Sequence, residues 1–222
     1  MNFSRLAGLL KPHKTVPITP WTGSHRWDLS LKRVFILFMG LAIFGLGDSL
    51  LIQGNIGNAP WTVLAQGVTR RTDLSIGWAT FFISICVLAL WIPLREKPGF
   101  GTLSNIVLIA LFIEIGTHIF AEQSNVFSGT IFALLGISLV GLGSAFYITC
   151  GLGPGPRDGA MTGMHYKTGV RVGRVRLGIE LVVLLAGWSL GGTVGLGTAL
   201  FAVLIGQSVA IFLGILARLT NK

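Results

Sequence analysis

Long apolar runs, interrupted twice by glycine and proline, set the pattern of this chain. The runs cover about residues 34–53, 76–94, 103–120, 128–149, 177–190 and 198–216. A helix of ~20 apolar residues crosses a hydrocarbon core of ~30 Å, so the pattern predicts an all-α polytopic membrane protein with six transmembrane helices. The interruptions are Asn55 to Thr62 (NIGNAPWT) and Gly151 to Gly159 (GLGPGPRDG). Each leads into a stretch too short or too charged to cross. Trp61 to Thr69 spans only ~14 Å as a helix, and the second stretch carries Arg157, Asp158, His165 and Lys167. Such backbone is tolerated at membrane depth only where it is buried in protein or lines a cavity. The two breaks are therefore expected to start two half-helices that face each other across one central site.

A repeat organises these elements. Gly45-Leu46-Gly47 recurs as Gly141-Leu142-Gly143, an offset of 96 residues. The same offset carries Gly57 onto Gly153, Pro60 onto Pro156, Gly67 onto Gly163, Gly77 onto Gly173, Gly99 onto Gly195, and Gly101-Thr102 onto Gly197-Thr198. Apolar matches are cheap in such a composition, but glycine, proline and threonine held in register are not. The expected units are a basic tail at 1–32, repeat 1 at 33–127, repeat 2 at 128–217 and a short end at 218–222. Three full spans per unit is an odd number, which predicts an inverted pair.

Composition strengthens the membrane reading. Hydrophobic residues make up 52% and charged residues 11%, against about 25% charged in soluble domains. The formal charge of +9 lies in tails and loops, as orientation signals do, so no nucleic-acid partner is expected; the bilayer is. With six spans, all but Arg70 and Arg71 of the 17 lysines and arginines fall on the side of both termini. Crossing half-helices would exchange these two for Arg95, Lys97 and Arg157, so charge barely separates the two topologies and segment length decides. Both termini are then expected in the cytoplasm. Trp21 and Trp27 suit either the membrane interface or a loosely ordered tail. Cys86 and Cys150 sit in apolar runs and are expected to pack rather than pair.

Candidate chemistry gathers at the breaks. Asp158 is placed to cap a short helix beginning near Gly159, and free N–H groups at a helix start attract anions. Arg157 adds a fixed, forked donor. Gly153, Gly155 and Gly159 complete this side of the expected substrate site; Gly57, Trp61 and Thr62 form the other, with Trp61 an apolar wall and Thr62 a cap. The competing reading makes both breaks packing devices, with Arg157 and Asp158 paired at the surface. Asp48, Glu114 and Glu180 lie inside apolar runs, where ionisable groups are functional candidates, here for carrying a proton. Glu180 follows Arg176 by one helical turn and is also placed to pair with it; Glu114 and His118 share that spacing. The glycine runs at 99–102 and 191–198 lack the ending of a nucleotide loop and read as turns, with Thr102 and Thr198 at helix starts. Gly40, Gly45, Gly47, Gly136, Gly141 and Gly143 suit close helix contact. Neither a metal site nor a cofactor is expected, and with no nucleophile and base to name, neither is an enzyme.

The segments GNAPWTVL and SIGWAT, then GLGPGPRDGAMTGM and GWSLGGTVGLGT, resemble the YczE branch of the YitT-type bacterial membrane proteins over about residues 34–213. The core at Gly153, Gly155, Pro156, Arg157, Asp158 and Gly159 is the more specific match. The first half departs at Thr62, where that family often has an acidic residue. The resemblance implies a multi-pass protein of the bacterial inner membrane and no particular activity. Together these readings favour a small secondary transporter for an anionic or zwitterionic metabolite. The alternative is a membrane scaffold or accessory subunit that docks a partner through Lys167, Arg171, Arg174 and Arg176.

Overall fold

The computed structural model describes residue 12 and residues 15–220. Arg5, Lys11, Lys14 and Lys222, counted among the charges on the inner side, lie outside the described residues. The helices are α1 (Leu31–Gln53), α2 (Pro60–Thr69), α3 (Ile76–Ala89), the single turn α4 (Trp91–Leu94), α5 (Phe100–Ile119), α6 (Val126–Thr149), α7 (Pro156–Thr168), α8 (Val172–Ser189) and α9 (Leu196–Thr220). Among the described residues there is no strand.

Local chemistry fixes the helix starts. The Ser30 hydroxyl accepts from the Arg33 N–H, and Asn125 Oδ1 accepts from Ser128 N–H at 2.8 Å. Pro60 and Pro156 stand at the first positions of α2 and α7, where their fixed φ is already helical and a missing N–H goes unnoticed. The half-helices thus begin at proline, and neither Thr62 nor Asp158 caps. Both residues fall in the first turn, after caps at Ala59 and Gly155. Gly57 (φ +113°) and Gly153 (φ +108°) make matching left-handed turns three residues before each proline, a conformation that glycine alone adopts without strain.

Among the described residues, five helices are long and apolar enough to cross a membrane: α1, α3 with α4 (as Ile76–Leu94), α5, α6 and α9. Phe35, Ile92, Phe127, Val182 and Val203 are largely exposed, an apolar exterior that suits lipid and not water. The run expected as the fifth span falls in α8, which is not among the five. That helix begins earlier than the apolar pattern indicated, at Val172, and so takes in Arg174 and Arg176 as well as Glu180. At 10 and 13 residues, α2 and α7 reach ~15 and ~20 Å, short of a full crossing. Cys150 is buried, whereas Cys86 is exposed on the outer face of α3 rather than packed inside.

The contacts between halves are reciprocal. α1 lies along α6 with Gly40 against Gly143 and, 96 residues on, Gly136 against Gly47. A methyl group on Gly143 would stand 2.5 Å from the Gly40 carbonyl oxygen, and one on Gly136 would stand 2.6 Å from that of Gly47. Gly101 N–H donates to the Leu152 carbonyl at 2.8 Å, and Gly197 N–H to the Ile56 carbonyl at 2.8 Å. Thr102 Oγ1 accepts from Gly99 N–H at 3.1 Å, as Thr198 Oγ1 does from Gly195 N–H at 3.3 Å. α2 packs on α8 through Gly67 and Gly187, while α7 packs on α3 and, through Gly159 and Gly163, on Trp91 and Leu94 of α4. Each half-helix therefore lies on the third helix of the other half.

One pair breaks the correspondence. α3 and α5 are joined where Gly77 N–H donates to Glu114 Oε2 at 2.9 Å. Their counterparts α8 and α9 scarcely touch: Gly173 has nothing within 4 Å, nor do Gly178 and Gly206, and Ala210 stands where Glu114 does in the first half.

The described loop around Trp21 is not loose but anchored. Trp21 Nε1 donates to Thr149 Oγ1 at 3.1 Å, the Thr22 hydroxyl to the Thr149 carbonyl at 2.8 Å, and Gly23 N–H to the Cys150 carbonyl at 2.8 Å. Arg33 ties this loop down through the Trp21 carbonyl at 2.7 Å and an ion pair with Asp28 at 2.8 Å. The Ser24 N–H, then its hydroxyl and Arg33, hold the Asp28 carboxyl below the usual carboxylate range. Trp27 remains half-exposed, its ring edge-on to Phe100.

Gly143→Val should lower stability by ~3 kcal/mol, read as loss of monodisperse protein and a lower unfolding midpoint in detergent. Gly178→Ala, in open space, should hold or gain up to ~1 kcal/mol. Equal effects at both positions would refute the backbone-contact account.

Candidate functional site

The two half-helix starts together with residues of α1, α3, α5, α6, α8 and α9 line a cavity of about 310 Å³. Asp48 reaches it from α1, Trp61 from α2, Asn105 from α5, Tyr147 from α6, Arg157 from α7 and Glu180 from α8. Phe201, Ile205 and Val209 of α9 make an apolar wall. The site thus draws on both halves, and no single half contains it.

Arg157 is the central cation. It is partly buried, and its guanidinium carbon lies 5.1 Å from the centre of the Trp61 ring, within the range of a cation–π contact. Among the described residues it makes no hydrogen bond and no ion pair. The surface pairing of Arg157 with Asp158 is not formed. Asp158 instead accepts from the Tyr147 hydroxyl at 2.7 Å. Asp48, Asp158 and Glu180 are the carboxylates whose charge reaches the guanidinium.

The three carboxylates picked from the apolar runs part company. Asp48 is 1% exposed and faces the cavity, and its Oδ2 has no hydrogen-bond partner. The Thr62 hydroxyl lies beside it, likewise without a completed bond. Glu180 also faces the cavity but is held by Arg176 Nε at 2.9 Å, the helical pairing its spacing allows. Glu114 lies outside the cavity wall, occupied by Gly77 N–H, with His118 Nδ1 3.9 Å away. Its place at the α3–α5 contact is structural.

The glycines divide in the same way. Gly155 lines the cavity and Gly153 lines a second one. Gly57 and Gly159 lie off both walls, and close packing accounts for them. A methyl group on Gly57 would meet Gly195 N at 2.5 Å, and one on Gly159 would meet the Trp91 ring at 2.0 Å. Trp91 also donates its indole N–H to the Pro156 carbonyl at 2.9 Å, which fixes the start of α7 and so the place of Arg157.

The second cavity opens beside Arg26 of the N-terminal loop. It shares Tyr147, Ile148 and Asp158 with the first, so the Tyr147–Asp158 hydrogen bond lies in the wall between them. At the corresponding place in the first half stand Leu51, fully buried, and Thr62, 2% exposed. The place of the part-buried Tyr147–Asp158 contact is thus taken in the first half by packed side chains. Tyr147 and Asn105 were not picked out from the sequence. The only available signal was a polar side chain inside an apolar run, which both share with many helix-packing residues. The basic residues Lys167, Arg171 and Arg174 lie exposed at the α7–α8 corner, whereas Arg176 is drawn into the pair with Glu180.

Comparison with known proteins places the chain. The family described as "Family of unknown function (DUF6198)" matches residues 31–214. An uncharacterized protein of Haemophilus influenzae is 46% identical over 95% of this chain and 97% of its own length. The uncharacterized membrane protein YczE of Bacillus subtilis is 37% identical over 81% of this chain and 84% of its own. The uncharacterized protein YyaS of the same organism is 25% identical over 81% and 92%. These matches bear out the YczE-like resemblance and a membrane setting. No solved structure matches.

Replacing Asp48 by Asn should raise the unfolding midpoint of the ligand-free protein. A buried, incompletely bonded carboxylate costs more than a buried amide, and each kcal/mol recovered is worth ~2–4 °C in a chain of this size. A drop in the midpoint would mean that Asp48 holds the fold together instead of serving the cavity.

Proposed function

The chain belongs to the DUF6198 family of YczE-like membrane proteins, and on that premise we propose that it is a small secondary transporter for an anionic or zwitterionic metabolite. The observation that carries this reading is Arg157: a guanidinium at the start of a half-helix, inside a cavity built by both halves, with no hydrogen bond or ion pair among the described residues. Discontinuous helices meeting at mid-membrane between paired repeats are where secondary transporters bind substrates.

The topology that goes with this function has six crossings, two inverted repeats and both termini in the cytoplasm of a bacterial inner membrane. α8 is then the fifth crossing. Its Arg176 and Glu180 face the cavity, and an ion pair turned towards a cavity is the form in which charge is tolerated inside a membrane. The reciprocal contacts between the halves support the repeat. Access from the cytoplasm runs past Arg26 and the Tyr147–Asp158 contact, and the closed end at Leu51 and Thr62 faces outwards. Opening would alternate between these ends. Of the three proton candidates, Glu180 is placed to exchange a proton against its bond to Arg176, whereas Glu114 is taken up by the α3–α5 joint.

A thermal-unfolding screen of purified protein against small metabolites tests the reading, since a ligand that binds the folded state raises its midpoint by mass action. A hit in wild type should vanish in a still-folded Arg157→Ala variant. Uptake of that ligand should lose its pH dependence in Glu180→Gln. Uptake that survives both changes unaltered would sink the residue assignments. A blank screen, with a stoichiometric partner copurifying through Lys167, Arg171 and Arg174, would favour the accessory role.

A further inference from the structure

Two side chains of opposite charge face the central cavity, each incompletely partnered: the Thr62 hydroxyl lies beside Asp48, and the Trp61 ring lies against Arg157. Asp48 is 1% exposed and leaves Oδ2 unbonded. Arg157, among the described residues, has only the face of Trp61. The other charges on the wall are engaged: Glu180 holds Arg176, and Asp158 accepts the Tyr147 hydroxyl. Asp48 and Arg157 lie within range of each other's field yet form no ion pair. A guanidinium has five N–H donors and a carboxylate about four acceptor sites. Leaving them unfilled away from water is expensive for both.

A lone anion bound at Arg157 would bring a second negative charge towards Asp48. A lone cation at Asp48 would do the converse to Arg157. One ligand carrying both signs satisfies both, and the Trp61 indole N–H, buried and without an acceptor, supplies a further donor on the anionic side. We infer that the ligand of this cavity is a zwitterion, its cationic group held by Asp48 and its anionic group by Arg157. The inference rests on the transporter reading and gives Asp48 a ligand-binding role in place of a proton-carrying one.

The same head-group chemistry has two sources. A free zwitterion such as an amino acid would enter past Tyr147 and Asp158. The head group of an amphiphile would enter between α8 and α9, which scarcely touch and expose the cavity's apolar wall of Phe201, Ile205 and Val209.

The experiment uses the full-length protein in a non-ionic maltoside. Thermal shifts are titrated with α- and ω-amino acids, with the matching carboxylates lacking the amine, and with lysophosphatidylethanolamine. Wild type is set beside Asp48→Asn and Asp48→Glu. The expected result is that a zwitterion raises the midpoint and that Asp48→Asn weakens it by about 10- to 100-fold, the worth of a charge-assisted bond. The same change should leave the carboxylates unaffected, and Asp48→Glu should retain the preference for the amine. Whether amino acids or the lysolipid give the shift identifies the source. A carboxylate that binds as tightly as its amino counterpart, or a zwitterion indifferent to Asp48→Asn, overturns the inference and leaves the transporter reading standing. No shift from any of the three classes in wild type overturns both.

Discussion

Backbone meeting backbone between the two halves is the constraint from which the rest follows. Inside a membrane, helices gain no hydrophobic drive from packing together, so close van der Waals approach and interhelical hydrogen bonds must hold them. Here α1 and α6 approach until the carbonyls of Gly40 and Gly47 lie against the α-carbons of Gly143 and Gly136. At that distance the break loops come within reach of the opposite turns, and Gly101 and Gly197 donate across the boundary to Leu152 and Ile56. These bonds satisfy irregular backbone that lipid cannot solvate. They also set where each half-helix begins, and hence where Trp61 and Arg157 meet. The site is a by-product of how the halves are sutured.

Against that near-symmetry, the differences carry the chemistry. Asp158 and Arg157 on one side face Thr62 and Trp61 on the other, so the cavity is charged on one wall and aromatic on the next. Glu114 locks α3 to α5 in the first half, and its absence from the second leaves α8 apart from α9. A shared scaffold thus carries unequal linings on its two sides.

Much of this was legible in the sequence because glycine and proline speak about backbone. A glycine kept in register across 96 residues marks a close approach or a left-handed turn in both copies, and Gly57 with Gly153 and Gly47 with Gly143 are such pairs. The Arg176–Glu180 bond was legible from spacing, since helical neighbours are fixed by geometry. What lay hidden depends on tertiary direction. Nothing local says that Asp48 turns inward and Glu114 sideways, or that Tyr147 meets Asp158. An apolar count places the start of α8 too late because it cannot see helix that continues through charged residues. The caps were misjudged because proline at the first position already fixes a helix start.

The loop around Trp21 has a consequence for the order in which the protein is built. Its acceptor, Thr149, lies 128 residues later in the chain. At ~5–20 residues per second, the ribosome makes the plug on the order of ten seconds before its socket exists. Until α6 emerges, the Trp21 indole lacks its acceptor and the Thr22 hydroxyl has only its local contacts with Thr19. The docking of that loop on α6 therefore comes late, although the loop belongs to a segment made well before α6. It closes only on a chain whose second half has found the first, and so reports completed assembly.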